Sequence, residues 1–197
     1  GWTITAVLDT HIHADHLSRS RQLAQLTGAT LYLPAQERAT FPFTPLRDGE
    51  AVAIGDARLV ALATPGHTPE ATTYLLDGRA AFTGDTLFLA AVGRPDLEAG
   101  ADGGRARAGL LFDSLQRLLA LPPETRILPG HTSAPIAFDG EPVTAPLAAV
   151  RERTPALALE RETFVETILG RIPPTPPNHA RIVALNEAGE PFAGDPT

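Results

Sequence analysis

The sequence predicts an α/β fold whose strand ends converge on one functional edge, and three observations carry that expectation. Short β-branched and apolar runs recur along the chain, punctuated by turn dipeptides. One segment, residues 105–121, places Leu111, Leu115, Leu118 and Leu119 at helical spacing before Pro122-Pro123 stops it. A residue of metal-ligand type follows an apolar strand in four places: Leu8/His11, Leu62/His67, Phe82/Asp85 and Leu128/His131. Four such loops delivered to one edge of a β scaffold are a common way to build a pocket.

Residues 4–8 read as a strand and 9–16 as the loop at its C-terminal end. Ser18 is placed to cap a helix running to Thr27, with Leu23 and Leu26 as its apolar side and Gly28 as its stop. A short strand follows over 30–33, then a proline-rich loop over 34–45 with at most one helical turn. Strands are predicted at 51–54, 57–63, 72–76 and 80–83, with Gly55-Asp56 and Asp77-Gly78 as tight turns. The Gly- and Asp-containing stretch 86–104 is long enough to form a functional rim. Beyond the 105–121 helix, a strand at 126–128 feeds Pro129-Gly130-His131. Helical segments are expected at 147–152 and 160–170, the second docked through Phe164, Ile168 and Leu169. A stiff 173–177 and a final short strand at 182–185 complete the chain. The expected organisation is one domain over 1–197: a metal-binding core at 1–145, then a helical extension with a short strand at 146–197.

Bulk properties narrow the function. At 197 residues, 43% hydrophobic and 20% charged, the chain has the make-up of a soluble globular domain. No run approaches the roughly 20 apolar residues of a membrane span, and a formal charge of −7 argues against a general nucleic-acid binder. The absence of cysteine excludes disulfides, thiolate ligation and a cysteine nucleophile. It fits a reducing compartment, and with no signal-peptide pattern the expected location is cytoplasmic. The chain opens Gly1-Trp2-Thr3 and contains no methionine, the expectation being a processed or truncated piece.

Five of the six histidines fall in a pattern that suits a metal. The cluster His11-x-His13-x-Asp15-His16 packs three imidazoles and a carboxylate into six residues, enough to face two neighbouring positions. A solvated polar loop is the bland alternative, and such a concentration of the chain's histidines speaks against it. Pro65-Gly66-His67 and Pro129-Gly130-His131 are weak signals singly, since a lone histidine is more often a cap or a core residue. Their duplication, each after an apolar strand, makes them ligand candidates, with Asp85 as the bridging or terminal carboxylate. His179, near a polar terminus, reads instead as exposed or helix-capping.

The Thr-His-x-His-x-Asp-His motif, followed by Pro-Gly-His, Gly-Asp and a second Pro-Gly-His, resembles the metallo-β-lactamase superfamily across residues 4–131. The resemblance implies a four-layer αβ/βα sandwich, here apparently without that fold's first N-terminal strands. A homo-oligomer or a separately supplied N-terminal segment would then cover the exposed edge. Within the superfamily the chain is most similar to the persulfide dioxygenase branch, next to glyoxalase II. Residues 82–88 and the Val92-Gly93-Arg94-Pro95-Asp96-Leu97 segment carry that likeness, helped by Phe164, Pro176-Pro177-Asn178 and Ile182.

The dioxygenase branch implies one Fe(II) per chain, held by His11, His67 and Asp85. His13, Asp15, His16 and His131 then line the pocket, and thiol persulfide and dioxygen are the small-molecule partners, with sulfite and free thiol as products. The glyoxalase II alternative implies two Zn(II) per chain. His11, His13 and His67 would hold one metal, Asp15, His16 and His131 the other, with Asp85 bridging and an activated water cleaving a thioester. Asp15 joins His11, His67 and Asp85 as an expected catalytic residue. Arg94 is the expected anion-binding group on the substrate rim together with Asp96; a local Arg94–Asp96 salt bridge is the competing role. Thr132-Ser133 stand where glutathione-using relatives carry an aromatic residue, which leaves another low-molecular-weight thiol open. A third class, a non-enzymatic module, is disfavoured because His67 and Asp85 are both retained.

Overall fold

A computed structural model describes residues 1–97, 100–132, 135–137 and 139–189. Ser133 and residues 98–99 of the expected rim lie outside the described residues. Two sheets form the centre. One has three strands in the order β1 (Ala6–Leu8), β2 (Thr30–Pro34) and β3 (Thr44–Leu46), all parallel. The other has six, in the order β4 (Ala51–Ile54), β5 (Ala57–Ala63), β6 (Thr72–Leu76), β7 (Ala80–Gly84), β8 (Arg126–Pro129) and β9 (Ala145–Pro146).

The period-2 alternation of strands sorts side chains between layers. In β1 and β2, Val7, Leu31 and Leu33 face α1 (Ser20–Thr27), where Ala24 is buried among them. Ala6, Leu8 and Tyr32 point the other way and pack on Leu46, Val52, Leu59, Ala61 and Tyr74, so the two sheets meet face to face. On the far side of the large sheet, Ala81 and Ile127 meet α2 (Gly100–Leu119), α3 (Leu147–Arg153) and α4 (Arg161–Leu169). Leu111, Leu115, Leu118, Val150 and Phe164 are essentially fully buried there, each worth about 1.5–3 kcal/mol relative to exposure. The result is helix, sheet, sheet, helix: the four-layer αβ/βα sandwich expected of the chain.

Several local expectations change. Residues 182–185 are not a strand but part of α5 (His179–Ala188). A four-residue apolar run cannot distinguish the two by periodicity, and here only Val183 is buried within the helix. His179 is half-buried at the start of α5, its Nδ1 donating to the carbonyl of Pro176 at 2.9 Å. Ser18 does not cap α1. Arg19 occupies that position, and the Ser18 hydroxyl instead donates to Asp9 Oδ2 at 2.7 Å. The buried side of α1 is Ala24, while Leu23 and Leu26 are 40% and 79% exposed. The proline-rich 34–45 region leads into β3, whose Pro45 is tolerated because the strand lies at a sheet edge. No helix among the described residues is long and apolar enough to cross a membrane.

Candidate metal centre

Strand direction gathers the site. β5 and β7 each run antiparallel to β6, and β8 runs parallel to β7. The C-terminal ends of β5, β7 and β8 therefore emerge at the same edge, carrying His67, Asp85 and His131. The loop after β1 reaches that edge from the other sheet with His11, His13, Asp15 and His16. It is tied down residue by residue. Tyr74 Oη donates to the Asp9 carbonyl at 2.8 Å, Thr72 N to the Thr10 carbonyl at 2.9 Å, and Ile12 N to Glu70 Oε1 at 2.9 Å.

The two glycines before the ligand histidines permit close approaches. Gly66 has φ +142 and lies so near α2 that a Cβ there would sit 2.4 Å from Leu111 Cα. A Cβ on Gly130 would sit 2.5 Å from Asp85 Oδ1. One glycine lets the strand end press against a helix; the other lets a backbone approach the central carboxylate.

Seven donors converge. His11, His67 and Asp85 offer ligand atoms within 4.8 Å of one another, and so do His13, Asp15 and His16. His67 Nε2 is 3.7 Å from Asp85 Oδ2. His131 links the groups, with Nδ1 2.8 Å from Asp85 Oδ1 and Nε2 2.9 Å from Asp15 Oδ2. The imidazoles of His11 and His13 have centroids 4.2 Å apart, so the two groups are contiguous. Burial grades across them: His11 is 3% exposed and His67 7%, whereas Asp15 and His16 are exposed.

The electrostatics suit a cation. Burial, reinforced by His13 and His67, holds the His11 pKa well below the usual imidazole value, and burial lowers His13 as well. Both rings are thereby kept neutral, the form that ligates. Hydrogen bonding to His16 holds Asp15 well below the usual carboxylate range against the opposing effect of burial. The same contact raises His16. For His131, burial pulls the pKa down but Asp85 and Asp15 outweigh it, and the net direction is up. Carboxylates only accept, so both ring nitrogens of His131 donate.

Two buried nitrogens test whether a metal belongs here. His11 Nε2 and His13 Nδ1 are buried with no hydrogen-bond partner, which is costly unless something else satisfies them. The contact of His67 with a carbonyl sets its tautomer to match. His67 Nδ1 donates to the carbonyl of Arg94 at 2.8 Å, leaving Nε2 with its lone pair toward Asp85. His11 Nδ1 pairs with the Thr10 hydroxyl at 2.9 Å, which leaves Nε2 as its inward donor. The donor set fits a divalent transition metal.

Beside the cluster opens a cavity of about 610 Å³. Asp15, His67, Asp85 and His131 form one wall; Phe88, Val92, Leu97, Ile168, Ile172 and Pro173 supply apolar walls, with Arg171 exposed at the rim. Arg94 also lines it, but its guanidinium is engaged. It grips Asp96 through Nε at 2.9 Å and Nη2 at 2.7 Å and donates to the carbonyls of Pro173 and Pro174. The local salt bridge is thus what the structure contains. The pair braces the cavity wall, and the Arg94 carbonyl orients a ligand histidine. Three further contributors carry no motif of their own, Asp9, Asn186 and the carbonyl of Arg94, whereas Thr10 opens the histidine motif. Glu70 had a signal, its position directly after Pro-Gly-His-Thr-Pro.

Known proteins are similar to this chain in sequence and fold. The family model described as metallo-beta-lactamase superfamily matches residues 1–131. The hydroxyacylglutathione hydrolase of Methylobacterium sp. (strain 4-46) is 32% identical over 98% of this chain and 78% of its own length. The chain spans between 59% and 78% of the length of eight curated hydrolases of that name. Among solved structures, a metallo-beta-lactamase from Staphylococcus aureus subsp. aureus COL superposes with a TM-score of 0.88 at 26% identity, over 99% of this chain and 62% of that one. ETHE1 from Myxococcus xanthus gives 0.80 at 34% identity, over 95% and 78%. Sandwich, strand-end donors and these matches agree: the chain belongs to the metallo-β-lactamase superfamily.

Proposed function

We propose that the chain is a metal-dependent hydrolase of the glyoxalase II type, cleaving the thioester of a low-molecular-weight thiol to a carboxylic acid and free thiol. One observation carries the reading. Asp85 reaches both donor groups at once, with Oδ2 3.7 Å from His67 Nε2 and Oδ1 2.8 Å from His131 Nδ1. Asp85 is therefore the carboxylate that would be shared if two metals were bound. His11, His13 and His67 would hold one ion; Asp15, His16 and His131 the other. Bound there, such ions supply Lewis acidity and an activated water. Similarity to proteins named hydroxyacylglutathione hydrolase supports the same chemistry.

The remaining residues shape the substrate's surroundings. The apolar wall of Phe88, Val92, Leu97 and Ile172 keeps bulk water from the acyl group and strengthens polar interactions at the reacting end. Arg171 at the rim meets a carboxylate on the thiol carrier. The Arg94–Asp96 brace holds the Pro173–Pro174 wall in place.

A second reading, an iron-dependent dioxygenase converting a thiol persulfide, dioxygen and water to free thiol and sulfite, has its own support. His11, His67 and Asp85 form a compact, largely buried group of two histidines and one carboxylate, the donor set of non-haem iron oxygenases. The 34% identity to ETHE1 points the same way. Anaerobic purification without added metal, elemental analysis, thioester-cleavage assays and persulfide-dependent oxygen uptake divide the two. Two metals per chain with thioester turnover and no oxygen uptake is the expected result. One iron per chain with persulfide-dependent oxygen uptake overturns it in favour of the dioxygenase.

A further inference from the structure

The last described helix grips the first ligand loop. Asn186, on α5, places its single carboxamide against the backbone of the loop that carries His11, His13, Asp15 and His16. Its Nδ2 donates to the carbonyl of His13 at 2.8 Å and to that of His16 at 2.9 Å. Its Oδ1 accepts from Ser18 N at 2.9 Å. The amide orientation is self-consistent, since the nitrogen faces two acceptors and the oxygen faces a donor. Both acceptors are backbone atoms of ligand-type residues, so the carboxamide sets the turn between His13 and His16 without occupying a ligand position itself.

Neighbouring residues extend the grip. Glu187 Oε1 accepts from Arg38 Nε at 2.8 Å, and Arg38 Nη1 reaches Glu70 Oε2 at 3.1 Å. The other oxygen of Glu70 holds the amide of Ile12, between His11 and His13. The carbonyl of Glu187 accepts from Thr40 N at 2.8 Å. Val183 is buried with Ile12, Ala14 and Leu97. α5 thus touches the loop at Ile12 and Ala14 through packing, and at His13, His16 and Ser18 through one side chain.

We propose that Asn186 is a positioning residue for the metal centre: it holds the His13–His16 turn in its ligating conformation, so metal affinity depends on a side chain that touches no metal. A loop bearing several charged or hydrogen-bonding ligands has many conformations when free, and ordering it in advance removes that cost from metal binding. The inference is indifferent to one metal or two and does not rest on the thioester reading.

The test compares Zn(II) affinity, by competition with a chromophoric chelator, with the melting temperature of the metal-free protein. Asn186→Leu keeps the side chain's size and removes all three hydrogen bonds. Asn186→Asp keeps the acceptor for Ser18 N and removes both donors, and serves if the leucine variant does not fold. Val150→Ala opens a cavity under α3, in the core remote from the loop, and controls for stability alone. The expected result is a loss of about tenfold or more in Zn(II) affinity for either Asn186 variant, with Val150→Ala lowering the melting temperature and leaving affinity within about twofold. Unchanged affinity in the Asn186 variants overturns the proposal, as does an equal loss in Val150→Ala. A wild-type chain that takes up no metal overturns the metal centre itself, and the clamp with it.

Discussion

Pro65-Gly66-His67 and Pro129-Gly130-His131 share a tripeptide and occupy opposite environments. His67 is 7% exposed, and its Nδ1 is committed to a backbone carbonyl. Its glycine lies against the backbone of α2, which cannot yield without moving a helix. The His131 side chain is 44% exposed, with both ring nitrogens on carboxylates, and its glycine lies nearest the Asp85 side chain, with the Gly84 main chain farther off. Identical local sequence therefore does two jobs. The first tripeptide is part of the packed interior and brings a buried ligand; the second is a surface turn whose histidine balances two acidic groups.

Substitutions separate these two jobs. Asp85→Ala removes the carboxylate common to both tripeptides and should abolish metal uptake and turnover together, read by elemental analysis and activity. His67→Ala should follow it closely, because His67 belongs to the buried group. His131→Ala should retain at least one metal per chain while turnover falls; equal metal loss in the two histidine variants would erase the distinction drawn between them.

The glycines give the sharpest contrast. Gly66→Ala adds positive-φ strain and a clash with the Leu111 backbone, costing roughly 2–5 kcal/mol, seen as a large drop in melting temperature. Gly130→Ala carries no positive-φ strain and meets first the Asp85 carboxylate, at 2.5 Å, with the Gly84 main chain at 3.2 Å, so its main effect should fall on metal affinity, with a smaller loss of stability. The reverse pattern would show that the first tripeptide is not locked by α2.

The smallest effect concerns the brace beneath His67. Burial opposes ionisation of Asp96, but Arg94 wins and holds its pKa below the usual carboxylate value. A depressed folded-state pKa means that its stabilisation is complete above the unfolded aspartate value of about 4 and is lost as pH falls through the lower folded value. Asp96→Asn should cost about 1 kcal/mol near neutrality. Melting temperatures of the variant and the parent should converge as the solution is acidified below about pH 3; a constant gap would remove the ion pair as the cause.

Much of the scaffold was legible because strands and amphipathic helices write their periods into the chain. The strands at 51–54, 57–63 and 72–76 coincide with β4, β5 and β6, and Leu111, Leu115, Leu118 and Leu119 lie on α2 with the first three buried. Legibility failed where the pattern was short or the reason was distant. Residues 182–185 held too few residues to tell helix from strand. β3 and β9 contain proline and exist only as sheet edges. Arg94 drew attention as a cation, whereas its carbonyl proved to be the atom that orients His67, and no side-chain pattern announces a carbonyl.

The donor set itself needed no tertiary information. His11, His13, Asp15, His16, His67, Asp85 and His131 stand in the chain at strand ends, and the chemistry of imidazole and carboxylate marks them for a metal. Which donors are buried, which carboxylate spans the two groups, and what holds the loop were decided only by the fold. Those properties depend on strand direction, on the approach of Gly66 to α2, and on Asn186 meeting a carbonyl 173 residues earlier. Local sequence specifies period and functional group; contacts that distant are set by how the layers close.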